Sequence, residues 1–167
     1  MRAGIALGSN LEDRLQCLQL ARTHLRALHL EGAPFLCSRI YETAAEDCLP
    51  GSPAFLNAAI ELSTTLPPLD FLMKLQEIEE CLGRPRSHGY HEPRTIDLDL
   101  LFFDNLVLHL PELELPHPRI ASRSFVLKPL SDICPRRMLP GSKACIEDLL
   151  KSLPSSSVAR AVSTFSN

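Results

Sequence analysis

The apolar positions of the chain change period along its length, and each change marks an element. Ala3–Asn10, "AGIALGSN", is a short apolar run closed by Gly8, the pattern of a buried strand. Leu11, Leu15, Leu18, Ala21, Leu25 and Leu28 then recur every three or four residues. That spacing predicts an amphipathic helix, with Asn10 or Ser9 as N-cap and Asp13 or Glu12 as the capping-box partner. Phe35–Tyr41 predicts a second strand, and 42–53 a loop whose Pro50, Gly51, Ser52 and Pro53 mark a turn. Ala54–Ser63 predicts a third strand, in which Asn57 is the only polar residue before Glu61. Pro67 and Pro68 suit a helix start, Leu69, Leu72, Leu75, Ile78 and Leu82 form its stripe, and Gly83 ends it in the left-handed conformation. Ile96–Phe103 predicts the fourth strand, with Val107–Leu110 a short partner across Asp104–Asn105. Phe125–Leu130 reads equally as a strand or a buried run. Ser142–Leu153 reads as a last helix capped by Ser142, and 154–167 as a flexible tail.

Strand, helix, strand, strand, helix, strand is the split β-α-β order of a ferredoxin-like α+β fold. It predicts a largely antiparallel sheet packed by helices in an α/β/α sandwich, formed by a single domain over 1–153. No repeat or linker divides the 167 residues, which suffice for a core without staples. A formal net charge of −3 offers nucleic acid no general attraction. No apolar run approaches a membrane span and no charged-then-apolar leader opens the chain, so the expected location is cytoplasmic, with no membrane partner. The six cysteines are scattered without a C-x-x-C pair, which predicts reduced, buried thiols.

One segment does not fit a plain core strand. "EPRTIDLDLLFFDN", Glu92–Asn105, carries Asp97 and Asp99 two residues apart, so both carboxylates leave the same face. Unrelieved, each would raise the other's pKa, and a divalent cation relieves that. Oxygen ligands without histidine or cysteine favour magnesium. The competing reading is a solvent-facing edge with ordinary acids, but Ile96, Leu98, Leu100 and Leu101 argue for burial. Just upstream, "GRPRSHGYHEPRT" holds Arg84, Arg86 and Arg94 beside His88 and His91, broken by Pro85, Gly89 and Pro93. An arginine-rich loop leading into paired carboxylates suits a polyphosphate. "LELPHPRIASRSF" adds His117 between two prolines, with Arg119 and Arg123 following. Neither a G-x-x-x-x-G-K-[ST] phosphate loop nor a protein-kinase set occurs.

"PRTIDLDLLFFDN" resembles the signature of the 6-hydroxymethyl-7,8-dihydropterin pyrophosphokinases. "IALGSNLEDR", "FLNAAIEL" and "LPHPRIASRSFVLKPLSDICP" resemble that family's N-terminus, third strand and C-terminal block, in order from about Ala3 to Leu153. The resemblance implies magnesium-dependent transfer of a pyrophosphoryl group from ATP, as co-substrate, to 6-hydroxymethyl-7,8-dihydropterin in folate biosynthesis. It implies that Asp97 and Asp99 hold two magnesium ions, and that Arg84, Arg86 and Arg94 meet the phosphates. It places His117 and Arg123 as further phosphate or nucleotide contacts, Gln76 and Glu79 on the nucleotide side, and Leu100 against adenine. Phe55 and Phe125 would sandwich the pterin, Asn57 would bind its edge, and Thr43, Ala44 and Ala45 would supply backbone beside it, with Asp97 within reach. A monomer is implied. The chain departs from many members at "ETAAEDC", where Ala44 stands for a proline, at His91, where some carry tryptophan, and at Glu112, where others are basic. Two other readings compete: a polymerase-palm-like or cyclase-like domain, disfavoured by the net charge, and a non-catalytic pterin- or nucleotide-binding pseudoenzyme of the same fold.

Overall fold

A computed structural model describes residues 1–44, 53–84, 94–154 and 160–165. Across its main sheet lie, in order, β5 (Asp97–Phe103), β1 (Arg2–Ser9), β4 (Phe55–Ser63), β3 (Ile40–Thr43) and β8 (Arg160–Ser163), with the short β2 (Leu36–Cys37) also on β4. Every pairing is antiparallel. The fourth long strand lies beside the first and the second beside the third, which is the ferredoxin-like order the sequence predicts.

Strand alternation divides the core into two layers. β1 sends Ala3, Ile5 and Leu7 to one face, where they meet Leu18 and Ala21 of α1 (Arg14–Ala27) and Phe71 and Leu75 of α2 (Pro68–Cys81). Ala6 and Ala59 face the other side, covered by Val126, Leu127 and Leu130 of α3 (Ser124–Ile133) and Ile146 of α4 (Ile146–Ser152). The result is the expected α/β/α sandwich. A bulge where β5 passes Gly4 and Ile5 sends Leu101 and Phe102 into the second layer while Leu100 and Phe103 stay in the first. Gly4 is required there, because a Cβ would lie 2.3 Å from the Phe102 ring.

Several boundaries differ from the sequence reading, each for a local reason. α1 starts at Arg14 and is capped by Asp13, whose Oδ1 accepts from the Gln16 N–H at 3.0 Å. Glu12, at φ 56°, cannot extend the helix backwards, and Asn10 bonds elsewhere. The strand expected at Phe35–Tyr41 breaks into β2 and β3, because the Ser38 hydroxyl accepts from the Ala59 N–H at 2.8 Å. β3 runs on through Glu42 and Thr43, which therefore belong to the sheet and not to the loop. β6 (Leu108–His109) pairs with β7 (Glu114–Leu115) in its own two-stranded sheet, not with β5. Phe125–Leu130 is not a strand; it is the buried run of the other reading, and it lies in α3, with Pro129 inside the helix. α4 starts at Ile146, not Ser142, whose hydroxyl instead closes a turn with Ala144. Within the stretch read as a tail, Arg160–Ser163 pairs with β3 as β8.

The end of α2 follows the prediction and prepares the site. Gly83 sits at φ 89°, its N–H donates to the Glu80 carbonyl at 3.0 Å, and the Arg84 N–H donates to the Glu79 carbonyl at 2.9 Å. This is a Schellman ending, and it fixes Arg84 against the last turn of the helix. The five cysteines among the described residues are free. No helix among those residues is long and apolar enough to cross a membrane.

Candidate active site

One row of residues crosses the sheet on its α3 side. Gly8 of β1 is the register partner of both Asp97 on β5 and Asn57 on β4, and Asn57 partners Tyr41 on β3. Gly8 contributes no side chain to the row. A Cβ there would stand 3.5 Å from Asn57 Oδ1, 3.7 Å from Phe55 Cδ1 and 3.9 Å from Asp97 Cβ. The missing side chain therefore leaves a trough, with a carboxylate at one end and an amide and a phenyl ring at the other. Asn57 is buried, and its Nδ2 donates to Thr43 Oγ1 at 2.8 Å. That bond uses the amide's donor end and leaves Oδ1 turned towards the trough. Phe55 is half-buried beside it, and Phe125, also half-buried, occupies the first turn of α3 on the same side of the sheet.

Arginines surround the carboxylate end. Arg84 Nη1 contacts both Glu79 Oε1 and Asp97 Oδ1, and Arg94 Nη1 lies 3.0 Å from Asp97 Oδ2. Arg123 Nη1 lies 3.5 Å from Asp99 Oδ2. Glu79 Oε1 also accepts from the Leu98 N–H at 2.7 Å, on the open edge of β5. Burial pushes Glu79 up to about 7, outweighing Arg84 and the Leu98 N–H, which pull the other way. Burial and the neighbouring Asp97 charge push Asp99 up as well, against the pull of His117 and Arg123. Arg94 Nε is buried with no hydrogen-bond partner among the described residues. The site thus pairs a carboxylate whose charged form is disfavoured, Asp99, with Asp97, and holds a guanidinium Nε–H that no described residue accepts from.

His117 is held by backbone. Its N–H donates to the Leu101 carbonyl at 2.8 Å, which ties the "PHP" segment to β5 just past Asp99. Its Nδ1 accepts from the Arg119 N–H at 3.1 Å, so the ring carries its proton on Nε2. Burial lowers its pKa, with Asp99 opposing and Arg123 and Arg119 assisting, so the neutral ring dominates near pH 7. A neutral Nε2–H donor suits an anionic oxygen.

Of the residues proposed from sequence, Asp97, Asp99, Arg84, Arg94, Arg123, His117 and Glu79 converge at one end of the trough, and Asn57, Thr43 and Phe55 form the other. Ala44 is exposed directly after β3, while Ala45 and Arg86, with His88 and His91, lie outside the described residues. Gln76 is exposed on α2. The Leu100 side chain is buried in the first core layer, on the face opposite the aspartates, so only its backbone is left to meet a nucleotide. Three residues were missed. Gly8 forms the floor, and its signal was the absence of a side chain in register with Asp97. Asn10, read as a helix cap, instead accepts from the Arg94 N–H at 2.8 Å through Oδ1 and donates to the Pro53 carbonyl at 3.4 Å. Arg14 donates to the Ala54 carbonyl at 2.7 Å and pairs with Glu42 at 2.9 Å, joining the ends of β3 and β4.

The family model of 7,8-dihydro-6-hydroxymethylpterin-pyrophosphokinase (HPPK) matches residues 4–135, which include all of these described groups. The chain belongs to that family. The HPPK family is one of diphosphokinase transferases, and the likeness extends to individual members. A Bacillus subtilis 2-amino-4-hydroxy-6-hydroxymethyldihydropteridine pyrophosphokinase is 42% identical over 137 residues, covering 79% of this chain and 77% of its own. One from Pseudomonas aeruginosa is 37% identical over 160 residues, covering 95% and 96%. Among solved structures, an HPPK-DHPS in complex with substrates matches 90% of this chain with a TM-score of 0.71 at 16% identity. The wild-type Plasmodium falciparum HPPK-DHPS matches the same share at a TM-score of 0.69 and 16% identity. At that identity these structures show the fold. The chain spans less than half of either, 43% and 44% of their lengths.

Proposed function

We propose that this HPPK chain transfers a pyrophosphoryl group from ATP to the hydroxymethyl oxygen of 6-hydroxymethyl-7,8-dihydropterin, releasing AMP, in tetrahydrofolate biosynthesis. The observation that carries the reading is the row Asp97–Gly8–Asn57, which sets a flat-bottomed trough beside paired carboxylates ringed by arginines. A flat, polar heterocycle fits between the Phe55 and Phe125 rings, with the Asn57 amide fixing its edge. Its hydroxymethyl group then points along the row towards Asp97. Thr43, Ala44 and Ala45 supply backbone on that side.

The donor chemistry fits magnesium. Asp97 and Asp99 leave one face, and Asp99 is held above the usual carboxylate range, a penalty that a hard cation removes. No group of three or more His, Cys, Asp or Glu converges on a metal position among the described residues. Two carboxylates are what magnesium uses when phosphate oxygens and water complete its coordination. Asp97 and Asp99 would hold the two ions, which would supply neutralisation of the charge on the polyphosphate.

The chain's own residues contribute positioning and electrostatics. The pterin hydroxyl attacks the β-phosphorus in line, forming an O–P bond and releasing its proton to solvent as the bridge to the α-phosphate breaks and AMP departs. Arg84, Arg94, Arg123 and the His117 Nε2–H hold the oxygens on which charge develops. Arg86, outside the described residues, is assigned to the same phosphates by family likeness, and Gln76, Glu79 and the Leu100 backbone to the nucleotide side. We propose a single catalytic domain, 1–153 together with the β8 strand Arg160–Ser163 that joins its sheet, acting as a monomer in the cytoplasm on small molecules and not on nucleic acid. A non-catalytic relative is disfavoured by the retained aspartate pair and arginines. The test is AMP release from ATP and magnesium with and without the pterin, run beside Asp97→Ala. Pterin-dependent AMP that falls by about a thousandfold in the variant supports the reading. A folded wild type that binds pterin and releases no AMP would overturn it.

A further inference from the structure

The pterin trough has one wall that is not part of the sheet, namely α3, and something must fix where that wall stands. Phe125, Lys128, Pro129 and Asp132 lie three, four and seven residues apart, on one stripe of α3 that faces β3 and β4. Phe125 is in the first turn and Asp132 in the last, about 10 Å further along the axis. At the first turn the helix meets the site: the Arg123 guanidinium lies 5.4 Å from the Phe125 ring centroid and 3.5 Å from Asp99. At the last turn it meets the sheet. The Tyr41 hydroxyl donates to the Asp132 carboxylate, 3.0 and 2.8 Å from its two oxygens, and Arg39 Nη2 adds a contact at 2.8 Å. The Arg39 backbone N–H donates to Asp132 as well, at 3.1 Å.

Tyr41 is not an arbitrary anchor. It is fully buried, and it is the register partner of Asn57, the residue assigned to the pterin edge. It also shares its face of β3 with Thr43, which accepts from Asn57. The same short strand therefore holds the amide wall through Thr43 and the helical wall through Tyr41. Burial and Asp132 push the Tyr41 phenol up to about 12, so it remains a neutral donor. Burial would raise Asp132, but the bonds from Arg39 and Tyr41 outweigh it and keep the carboxylate charged.

Resting on the pterin reading above, we infer that Tyr41 and Asp132 are positioning residues for the pterin: their hydrogen bond pins the far end of α3 to β3 and so sets the gap between Phe125 and the Gly8 floor. Neither touches the reacting atoms. A clamp at one end of a helix acts on what the other end carries, and the first turn of α3 carries Phe125 on the trough's side of the sheet. On the nucleotide side, Arg84 and Arg94 are held by the Schellman turn at Gly83 and by the Asn10–Arg94 pairing, neither of which involves α3, while Arg123 stands at the α3 N-terminus.

The experiment is calorimetry on the full chain with magnesium. It titrates α,β-methylene-ATP first, then 6-hydroxymethyl-7,8-dihydropterin onto the nucleotide-saturated protein, for wild type, Asp132→Ala, Tyr41→Phe and Asp132→Asn. Asp132→Ala and Tyr41→Phe are expected to weaken pterin binding about tenfold while nucleotide affinity stays within about twofold. Asp132→Asn keeps one oxygen for the Tyr41 hydroxyl but loses the partly exposed Arg39 ion pair and one of the two acceptors that Arg39 uses. It is therefore expected to restore part of the pterin affinity relative to Asp132→Ala. In steady state the same variants raise KM for the pterin more than they lower kcat. Tyr41→Phe covers the case in which Asp132→Ala does not fold. A lowered Tm with unchanged pterin affinity, or equal weakening of both ligands, overturns the positioning role. A folded wild type that binds no pterin overturns the functional reading itself, and this inference with it.

Discussion

Adding one methyl group at Gly8 separates folding from pterin binding. The substitution is Gly8→Ala, and its effect on the protein alone follows from three contacts. The new Cβ would sit 3.5, 3.7 and 3.9 Å from Asn57, Phe55 and Asp97, all ordinary van der Waals distances. The Gly8 backbone is in no left-handed conformation, so alanine adopts it without strain. Folding then gains from the lower entropy of the unfolded chain, by about 0.4–1 kcal/mol. The pterin meets the opposite effect. A ring stacked between Phe55 and Phe125 with one edge over the bare Gly8 backbone is pushed by the methyl away from the Asn57 amide that fixes that edge. Overpacking of that kind costs about 1–3 kcal/mol, a loss of roughly five- to 150-fold in affinity. Thermal unfolding in the absence of ligands reads the first quantity, and calorimetric titration with 6-hydroxymethyl-7,8-dihydropterin at saturating α,β-methylene-ATP reads the second. A variant that is as stable as wild type and binds pterin within twofold of it would show that the ring does not lie on Gly8, and would refute the trough as the pterin site.

Two further perturbations address the charged end. Asp99→Asn keeps shape while removing a charge that burial and Asp97 already disfavour, so metal-free stability should hold or rise while turnover falls about a thousandfold; turnover near wild type would remove Asp99 from the site. Glu79, raised from 4.5 to about 7, keeps its proton in the folded chain at pH values where the unfolded chain has lost it. Its contribution to stability is therefore complete below pH 4.5 and lost as pH rises to about 7, worth up to roughly 3 kcal/mol. Glu79→Gln should flatten urea-denaturation stability across that window, and an unchanged slope between pH 5 and 7.5 would contradict the buried-acid account.

The parts of this chain that were legible in its sequence are those governed by a repeating period or a required conformation. Leu72, Leu75, Ile78 and Leu82 with Gly83 give α2 and its ending, because spacing and a left-handed glycine admit few alternatives, although Leu69 is exposed and Phe71 takes its place in the core. Asp97 and Asp99 could be placed on one face for the same reason. What could not be read was decided by tertiary partners. Asn10 looks like a cap, but Arg94, distant in sequence, claims its side chain. Ser38 looks like a strand residue, yet its hydroxyl replaces a ladder partner and divides the strand. Phe125–Leu130 is too short for its period to distinguish strand from helix, and Pro129 hides the helix further. Gly8 was read as the end of a strand, since a site made by omitting a side chain leaves no chemical signal until its neighbours are known.

The opposing charges at this site bear on how one rigid strand can serve two states. Glu79, Asp97 and Asp99 face Arg84, Arg94 and Arg123, so the site carries close to no net charge by itself. Each arginine occupies a carboxylate that the proposed reaction needs free for a cation. Divalent ions arriving together with a polyphosphate also bring little net charge, so substrate entry amounts to an exchange of partners, carboxylates to cations and arginines to phosphate oxygens. Buried ion pairs that are exchanged in this way avoid the larger cost of leaving any charge unpaired. The exchange requires the arginines to move and the aspartates to stay. That division follows the fold: Asp97 and Asp99 project from β5, in register with β1, on short side chains, while the arginines reach them through long side chains with several rotatable bonds. The acids belong in a strand, despite its preference for valine, because the strand is the part of this site that holds its position.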